Sequence, residues 1–404
     1  MVLTDAQDPY DEDARTREDD RGGDPTVGRI DAYEGARLGR RSLLAGALAA
    51  TLAACSDKTP PAPAPAAVPS STPTPTPTPS PTPTVPVDTR PRWPLTGELL
   101  KDKKDAHHAA VAVKVPDNRQ EHPQRGIDDA DIVFVQLEGY LDANGYSSTR
   151  LVPVFHSKMP DTVEPVRSIR PVDVPLLSPM DAIIGNTGAA KWTIAYVKKH
   201  SQHLEAMLSY LATRGTGSYG TDQSRVYQYQ GQTYYDRATT CHPKVLAKQT
   251  KRFRDGPPRL YFPIASTKAE VSTVKGKKGR TLSVPYKGND YRMSYTYDKG
   301  SGRYLRSMPW GPHVLADGKR VSTDNVLVVK AHQHFEHHEP FHDIIDEKGT
   351  FYYFHGGKQV SGTWRKAGVA EPFAFTLKNG QPLKMAPGQT FVELPDTKAK
   401  LRIG

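Results

Sequence analysis

Short apolar runs, each bounded by proline, glycine or asparagine, recur through the first part of the globular region and predict β-strands. They cover residues 110–115, 131–138, 150–155 and 181–186. Helical spacing of apolar side chains predicts a helix at 189–200, a second from Ser201 to just before Gly215, and a third at 243–252. The sequence therefore predicts a mixed α/β domain over residues 93–280.

From residue 281 the pattern changes to strands alone. Apolar alternation predicts strands at residues 291–298, 303–308, 325–332, 349–355, 360–366, 373–377 and 390–394. Asp317-Gly318 and Asn379-Gly380 are dipeptides typical of tight hairpin turns. We expect an all-β antiparallel domain over residues 281–404, so the predicted fold class is α+β.

The apolar run at residues 43–54 precedes this globular region and follows the pair Arg40 and Arg41. Its 12 residues fall short of the roughly 20 that a transmembrane helix needs, and they match the apolar core of a signal peptide. The run ends in Leu-Ala-Ala-Cys at Cys55, which resembles a lipoprotein cleavage site, and the arginine pair resembles a twin-arginine signal. Twin-arginine and general export both stay open.

The resemblance implies that residues 40–54 are removed and that Cys55 is lipidated. We expect the protein on the outer face of the bacterial cytoplasmic membrane, attached through this lipid. Residues 1–39 are acidic and lack apolar periodicity, which indicates either a disordered preface or a start codon placed too early.

A stalk rich in proline and threonine connects this anchor to the globular region and spans residues 55–92. Its 12 prolines between residues 56 and 89 favour an extended polyproline conformation with a reach of up to about 100 Å.

The chain carries a formal net charge of +10, and the first 54 residues are acidic, so the exported part is more basic still. This balance favours anionic partners such as lipid headgroups or a cell-wall polymer, and a protein of the envelope stays possible. Nucleic acid is not expected, because the sequence has no repeat that interleaves basic and aromatic residues.

Several segments in a fixed order resemble the YerB-type bacterial lipoproteins, a two-domain family of unknown function. The segments are VAVKVPDN, HPQRGIDDADIVF, PVRSIRP, DRATTCHPKVLA, YDKGSGRYLR, NVLVV and GTWRK, and the resemblance covers nearly all of residues 93–404. Carried onto this chain, it implies nine polar positions as candidate ligand-binding residues: Asp117, Asn118, Glu138, Arg150, Arg167, Ser168, Arg170, Arg237 and His242. Two features depart from the family, namely the longer turn EGYLDANGYSSTR and Cys241 in place of a proline.

Arg167 and Arg170 stand three residues apart, so in a helical turn both guanidinium groups would point the same way. Together with Arg150 they could bind a carboxylate or phosphate in two-point geometry. The alternative is a structural network in which Glu138, Asp117 and Asp173 pair with these arginines.

These residues leave more than one function open. The first hypothesis is a non-catalytic envelope protein that binds an anionic ligand or a protein partner. The alternative is a wall-modifying hydrolase or transferase in which Glu138 and Asp117 act as acid and base. We expect no nucleophilic catalysis, because the GxSxG motif is absent and Cys241-His242 has no identifiable third group.

A third hypothesis is metal binding, suggested by five histidines within 11 residues: His332, His334, His337, His338 and His342. His332 and His334 would share one face of a strand, and two imidazoles with a carboxylate can hold zinc. The alternative is a solvated polar loop. The spacing differs from HExxH, so zinc hydrolysis is not implied.

Overall fold

The computed structural model describes residues 90–141, 147–286 and 291–404. Residues 1–39, the signal segment 40–54 with Arg40 and Arg41, the lipidation candidate Cys55 and almost all of the stalk lie outside these ranges. In the described ranges, no helix combines the length and the apolar character that crossing a membrane requires.

Strands dominate the structure, and α-helices are few and short. The strands of the first half are β1 (Val111–Val113), β2 (Val115–Pro116), β3 (Ile132–Leu141), β4 (Ser147–Phe155), β5 (Ala182–Gly185), β6 (Leu204–Glu205), β7 (Tyr219–Thr221), β8 (Tyr227–Tyr229), β9 (Gln232–Tyr234) and β10 (Thr239–Cys241). The α-helices of the described residues are α1 (Asp173–Leu177), α2 (Lys191–His200) and α3 (Pro243–Leu246).

The second half contains strands and no described α-helix. They are β11 (Lys277–Lys278), β12 (Thr281–Pro285), β13 (Arg292–Asp298), β14 (Arg303–Met308), β15 (Gly311–Pro312), β16 (Ser322–Thr323), β17 (Asn325–Val329), β18 (His332–Glu336), β19 (Glu339–Asp343), β20 (Glu347–His355), β21 (Lys358–Lys366), β22 (Ala374–Leu377), β23 (Thr390–Glu393) and β24 (Arg402–Ile403). The strands predicted from apolar alternation are therefore confirmed, most of them to within two or three residues.

One 12-stranded sheet runs through both halves of the chain. Its order is β11-β21-β20-β17-β23-β3-β4-β1-β5-β6, with β2 beside β4 and β22 beside β21. The late strand β23 lies between β17 and β3 and pairs with both in parallel, whereas most other strands of the second half pair antiparallel. The predicted boundary at residue 280 stays a prediction, but the sheet is continuous across the two halves.

The central strands of this sheet are buried on both faces, which explains their uninterrupted apolar runs. Ile132 and Phe134 belong to a hydrophobic cluster with helix α1, whereas Val133 and Val135 face the cluster that includes the second sheet. That second sheet has six strands in the order β15-β14-β13-β12-β24, with β16 beside β14.

The first half contains less helix than the sequence predicts. The helix predicted from Ser201 to Gly215 is wrong, because this segment forms β6 and then a series of turns. β6 pairs in parallel with β5, and the Asn186 side chain donates a hydrogen bond to the Ala206 carbonyl oxygen at 3.1 Å. Extending the sheet satisfies the backbone groups of β5, so the helical spacing of leucines was overridden by tertiary pairing. The third predicted helix is also shorter, since α3 ends at Leu246.

The buried ring of His156 generates a pH-dependent contribution to stability. Burial and the nearby His108 lower the pKa of His156 to about 4. A folded pKa below the unfolded value means that the unfolded chain binds the proton first, so this contribution is lost as the pH falls from about 6.5 to about 4. The loss amounts to roughly 3 kcal/mol at most.

We therefore expect His156→Gln to flatten the decline of unfolding free energy between pH 6.5 and 4, measured by urea denaturation. The comparison must be with the parent chain, because Asp131, whose pKa is raised to about 6 by burial, acts in the opposite direction in both proteins. His107→Gln, at an exposed histidine, is the matched control. Equal slopes in the parent and His156→Gln would contradict this assignment.

Candidate functional site

Arg167 and Arg170 do not point the same way, contrary to the expectation from their spacing. Residues 166–170 form an irregular segment before α1 and not a helical turn. Arg167 pairs with Glu121 and with Asp236, whose Oδ2 lies 2.9 Å from Nη2. Arg170 turns toward the second half of the chain, so the two guanidinium groups occupy different places.

Arg170 forms an ion pair that neither sequence pattern nor spacing suggested. Its Nε lies 2.6 Å from Oε2 of Glu339 in β19, and both side chains are buried. The predicted partner Asp173 instead accepts from the Arg170 backbone N–H at 2.7 Å and pairs with the buried Lys114 at 2.8 Å. This contact therefore ties the first half of the chain to the second.

Arg150 has the partner that the sequence suggested. Its Nε lies 3.3 Å from Glu138, and its Nη1 donates to the carbonyl oxygen of Ser168 at 3.0 Å. All three arginines of the predicted cluster thus have carboxylate partners inside the protein. Their arrangement favours the structural network, and anion binding by this cluster stays a prediction.

Asp117 is the centre of a fully buried polar network between the two halves. It accepts from Arg306 of β14, with Oδ2 2.6 Å from Nη2, and from Thr149 at 2.8 Å. Burial alone would raise the pKa of Asp117, but the Arg306 guanidinium and the His122 ring together outweigh it and hold that pKa well below its usual range. Arg306 also contacts His313, and burial keeps the pKa of His313 well below its usual value.

This network bears on the acid and base hypothesis. A general acid needs a pKa near the working pH, and Asp117 is held ionised by its buried cation. Glu138, the proposed partner in catalysis, is paired with Arg150. Both carboxylates are therefore paired with arginines inside the protein, which gives the hydrolase hypothesis no geometric support.

The remaining polar positions of the family resemblance lie apart from this network or at its margin. Asn118 precedes a short 3₁₀ turn, and Ser168 lies 3.5 Å from Thr187 between their hydroxyl oxygens. The guanidinium carbon of Arg237 lies 4.3 Å from the centre of the Tyr227 ring, and Nη2 of Arg237 donates a hydrogen bond to Oε1 of Gln120. His242 is the N-cap residue of α3, and its Nδ1 lies 2.9 Å from the carbonyl oxygen of Asp161.

Cys241 is a buried free thiol. Burial raises its pKa far above the range in which a thiolate forms at neutral pH. A nucleophilic role for Cys241 beside His242 is therefore not supported.

The histidine-rich segment is a β-hairpin and not a loop. Strands β18 and β19 pair antiparallel, and His337 and His338 form the turn with φ of +49° and +65°. His332 and His334 share one face, as the period of two predicts, and Asp343 lies between them. His337 packs on Trp192, whereas His342 is buried on the other face of the hairpin and its pKa is lowered to about 4 by burial. Of the five predicted histidines, the structure brings two together with a carboxylate.

A basic surface that sequence reasoning missed lies along β11 and the neighbouring strands. It consists of six exposed cations: Lys275, Lys277, Lys278, Arg280, Lys358 and Arg402. Lys278 stands directly opposite Lys358 in the β11–β21 pair, and Arg402 stands opposite Ser283 in the β12–β24 pair. No ion pair forms on these cations among the described residues. The signal was the run KGKKGR at 275–280, but its partner Lys358 is distant in sequence.

Two glycines allow the segment KGKKGR to lie close to Gln359 of β21. A Cβ at Gly276 would come within 2.6 Å of the Gln359 carbonyl oxygen, and one at Gly279 within 2.8 Å of Gln359 Cβ. Only glycine permits this approach, so the lysine side chains between the two glycines are presented to solvent.

Two modest pockets lie on the surface of the described residues. One, of about 270 Å³, is lined by Asp181, Lys251, Phe253, Arg254 and neighbours, none of them a predicted site residue. The other, of about 170 Å³, is lined by Pro171, Pro175, Tyr196, Phe341, Asp343 and neighbours, and it adjoins the hairpin.

The chain matches two family models of one two-domain family. Residues 95–247 match the N-terminal domain described as a protein of unknown function (DUF3048), and residues 282–392 match its C-terminal domain. A relative from Bacillus subtilis (strain 168), named "Putative lipoprotein YerB", is 28% identical over 318 residues, covering 76% of this chain and 87% of the relative. The crystal structure of the YerB protein from Bacillus subtilis is similar in fold, with a TM-score of 0.63 and 23% identity over 78% of this chain and 100% of that one. These matches confirm the resemblance expected from the ordered segments.

The Arg170–Glu339 pair predicts a large loss of stability on truncation. Arg170→Gln leaves Glu339 buried without its cation, which should lower the unfolding free energy by roughly 3 to 5 kcal/mol in urea or thermal denaturation. The matched control is Lys244→Gln, which removes the exposed ion pair to Asp161 and should leave the melting temperature nearly unchanged. Adding Glu339→Gln to Arg170→Gln should restore part of the loss. Similar melting temperatures for Arg170→Gln and the parent would contradict the structural role of this arginine.

Proposed function

We propose that this chain, which belongs to the two-domain DUF3048 family of proteins of unknown function, is a lipid-anchored envelope protein that binds an anionic wall polymer through its basic surface. The anchor part rests on the signal-like run ending at Cys55 and on the relative from Bacillus subtilis, whose name describes it as a lipoprotein. The binding part rests on the six exposed cations of the basic surface.

The observation that carries the binding proposal is the like-charged pair Lys278 and Lys358. Like charges directly opposite each other in an antiparallel pair destabilise the sheet. No aspartate or glutamate occurs in residues 271–286, 355–366 or 397–404, the segments that form and flank this surface. A bound polymer with repeating anionic groups would offset the repulsion between these two lysines that destabilises the free protein.

A polymer with regularly spaced phosphate or carboxylate groups fits this surface better than a single small anion. The cations lie at residues 275–280 and on strands β21 and β24, and none of them lines either of the two pockets described above. Such an open basic surface gains affinity by displacing the counterions of a polyanion, which makes binding depend on salt. The stalk, with its reach of up to about 100 Å, allows the basic surface to act away from the membrane.

The binding proposal is tested on isolated, protein-free cell-wall material. We expect Lys277→Gln/Lys278→Gln/Arg280→Gln to lose retention and to show a weaker dependence of binding on salt, because fewer counterions are released. Lys198→Gln/Lys199→Gln/Arg214→Gln removes three exposed cations elsewhere and is the charge-matched control. Equal retention of the two triple variants would contradict the proposal. Loss of binding to anionic lipid vesicles with retention on wall material unchanged would assign the surface to lipid headgroups.

The anchor is tested separately. Cys55→Ala removes the thiol that carries the lipid, so the protein should leave the membrane fraction or keep its signal uncleaved. Fractionation and the mass of the mature chain provide the measurement. A cleaved, unlipidated Cys55→Ala chain that still sediments with membranes would contradict lipid anchoring at this residue.

A further inference from the structure

We propose that the β18–β19 hairpin carries a binding site for one divalent transition metal ion, with His332, His334 and Asp343 as its protein ligands. Two imidazoles and one carboxylate are a ligand set typical of zinc, and copper, nickel and iron(II) bind the same donor groups. The site is independent of the basic surface, since it shares no residue with it.

The hairpin register brings these three side chains together. His332 pairs directly with Asp343 across the two strands, and His334 follows two residues later on the same face. Nδ1 of His332 lies 2.7 Å from Oδ2 of Asp343, and Nδ1 of His334 lies 3.1 Å from Oδ1. The two imidazole rings are nearly parallel, with an interplanar angle of 19°.

These distances are close to those that a metal needs. One ligand atom from each residue lies within 4.8 Å of the other two. Zinc binds nitrogen and oxygen ligands at about 2.0 to 2.2 Å, so neighbouring ligand atoms of a tetrahedral site are a little over 3 Å apart. The ligand atoms now lie at hydrogen-bond distances, so binding of the ion requires rotation of these partly exposed side chains.

The backbone under the ligands is fixed by contacts on both strands. Glu339 pairs with the buried Arg170, and Pro340 fills the space beside Gly139, where a Cβ would come within 2.6 Å of its Cδ. Gln333, between the two histidine ligands, donates to the carbonyl oxygen of Leu394 at 2.9 Å, and its backbone N–H donates to Asp396 at 3.0 Å. A site on such a fixed strand pair is better organised than one on a solvated loop.

The other group of histidines and a carboxylate in the described residues is not suited to a metal. Asp117, His122 and His313 also lie close together, but the Arg306 guanidinium donates to both Asp117 and His313. A metal ion would have to displace that buried cation. In the hairpin cluster no arginine or lysine pairs with the three ligands among the described residues.

Three protein ligands leave at least one coordination position for water or another donor. The pocket of about 170 Å³ beside the hairpin shares Asp343 and is lined further by Tyr196 and Phe341.

The test is titration of the metal-free full chain in detergent with Zn²⁺, followed by calorimetry, and with Co²⁺, followed by its visible absorption. We expect one ion per chain. His332→Asn/His334→Asn should abolish binding, and Asp343→Asn should weaken it by more than the roughly 10- to 100-fold that loss of an outer-shell partner typically costs. His338→Asn removes an exposed imidazole of the same hairpin and should bind as the parent does; asparagine tolerates the positive φ at this position.

Near-ultraviolet circular dichroism checks that the variants are folded. We expect them to fold, because the substituted side chains are partly exposed. Binding that persists in folded His332→Asn/His334→Asn, or that falls equally in His338→Asn, would overturn the proposal. The basic-surface triple variant should still bind Zn²⁺, so a failure of wall binding and a failure of metal binding are separable results.

Discussion

The parallel insertion of β23 between β17 and β3 is the constraint on which the rest of the structure depends. β3 belongs to the first half of the chain, and both β17 and β23 belong to the second, so neither half completes the sheet alone. Each of these central strands is buried on both faces, and an unpaired edge there would expose backbone groups in an apolar environment. The two halves are therefore parts of one sheet, although the family is described as two domains.

Three buried polar contacts lie across the same junction. Arg170 meets Glu339, Asp117 meets Arg306, and the Tyr286 hydroxyl lies 3.0 Å from the carbonyl oxygen of Val135 in β3. A buried ion pair adds little net stability, because desolvation offsets most of the attraction, but a wrong alignment would leave its charges unpaired. Two of the nine polar positions that the resemblance singled out, Asp117 and Arg170, thus agree with a role in aligning the two halves.

Features that depend on residues close together in the chain could be predicted from the sequence, and features that depend on distant residues could not. Period-two alternation located the strands, and it placed His332 and His334 on one face, since both depend on near neighbours. The segment after Ser201 was misread because the free edge of β5 decides its conformation. The partners Glu339 for Arg170 and Lys358 for Lys278 were beyond reach, because each pairs residues from segments far apart in the chain. The turn at His337 and His338 gave no signal, since no glycine and no hairpin dipeptide such as Asn-Gly marks it.

Protection of the sheet edges is a second physical explanation for the position of the basic surface. β11 ends the large sheet and β24 ends the second sheet, and exposed edge strands commonly carry lysine because charge prevents pairing with another chain. Edge protection accounts for a charge on β11, but charges of either sign would serve, and one per strand would suffice. The opposite edges, β6 and β15, carry no cation. Lys358 lies on β21, which is not an edge strand, so edge protection does not account for the Lys278–Lys358 pair, and this pair is the observation behind the proposed anionic partner.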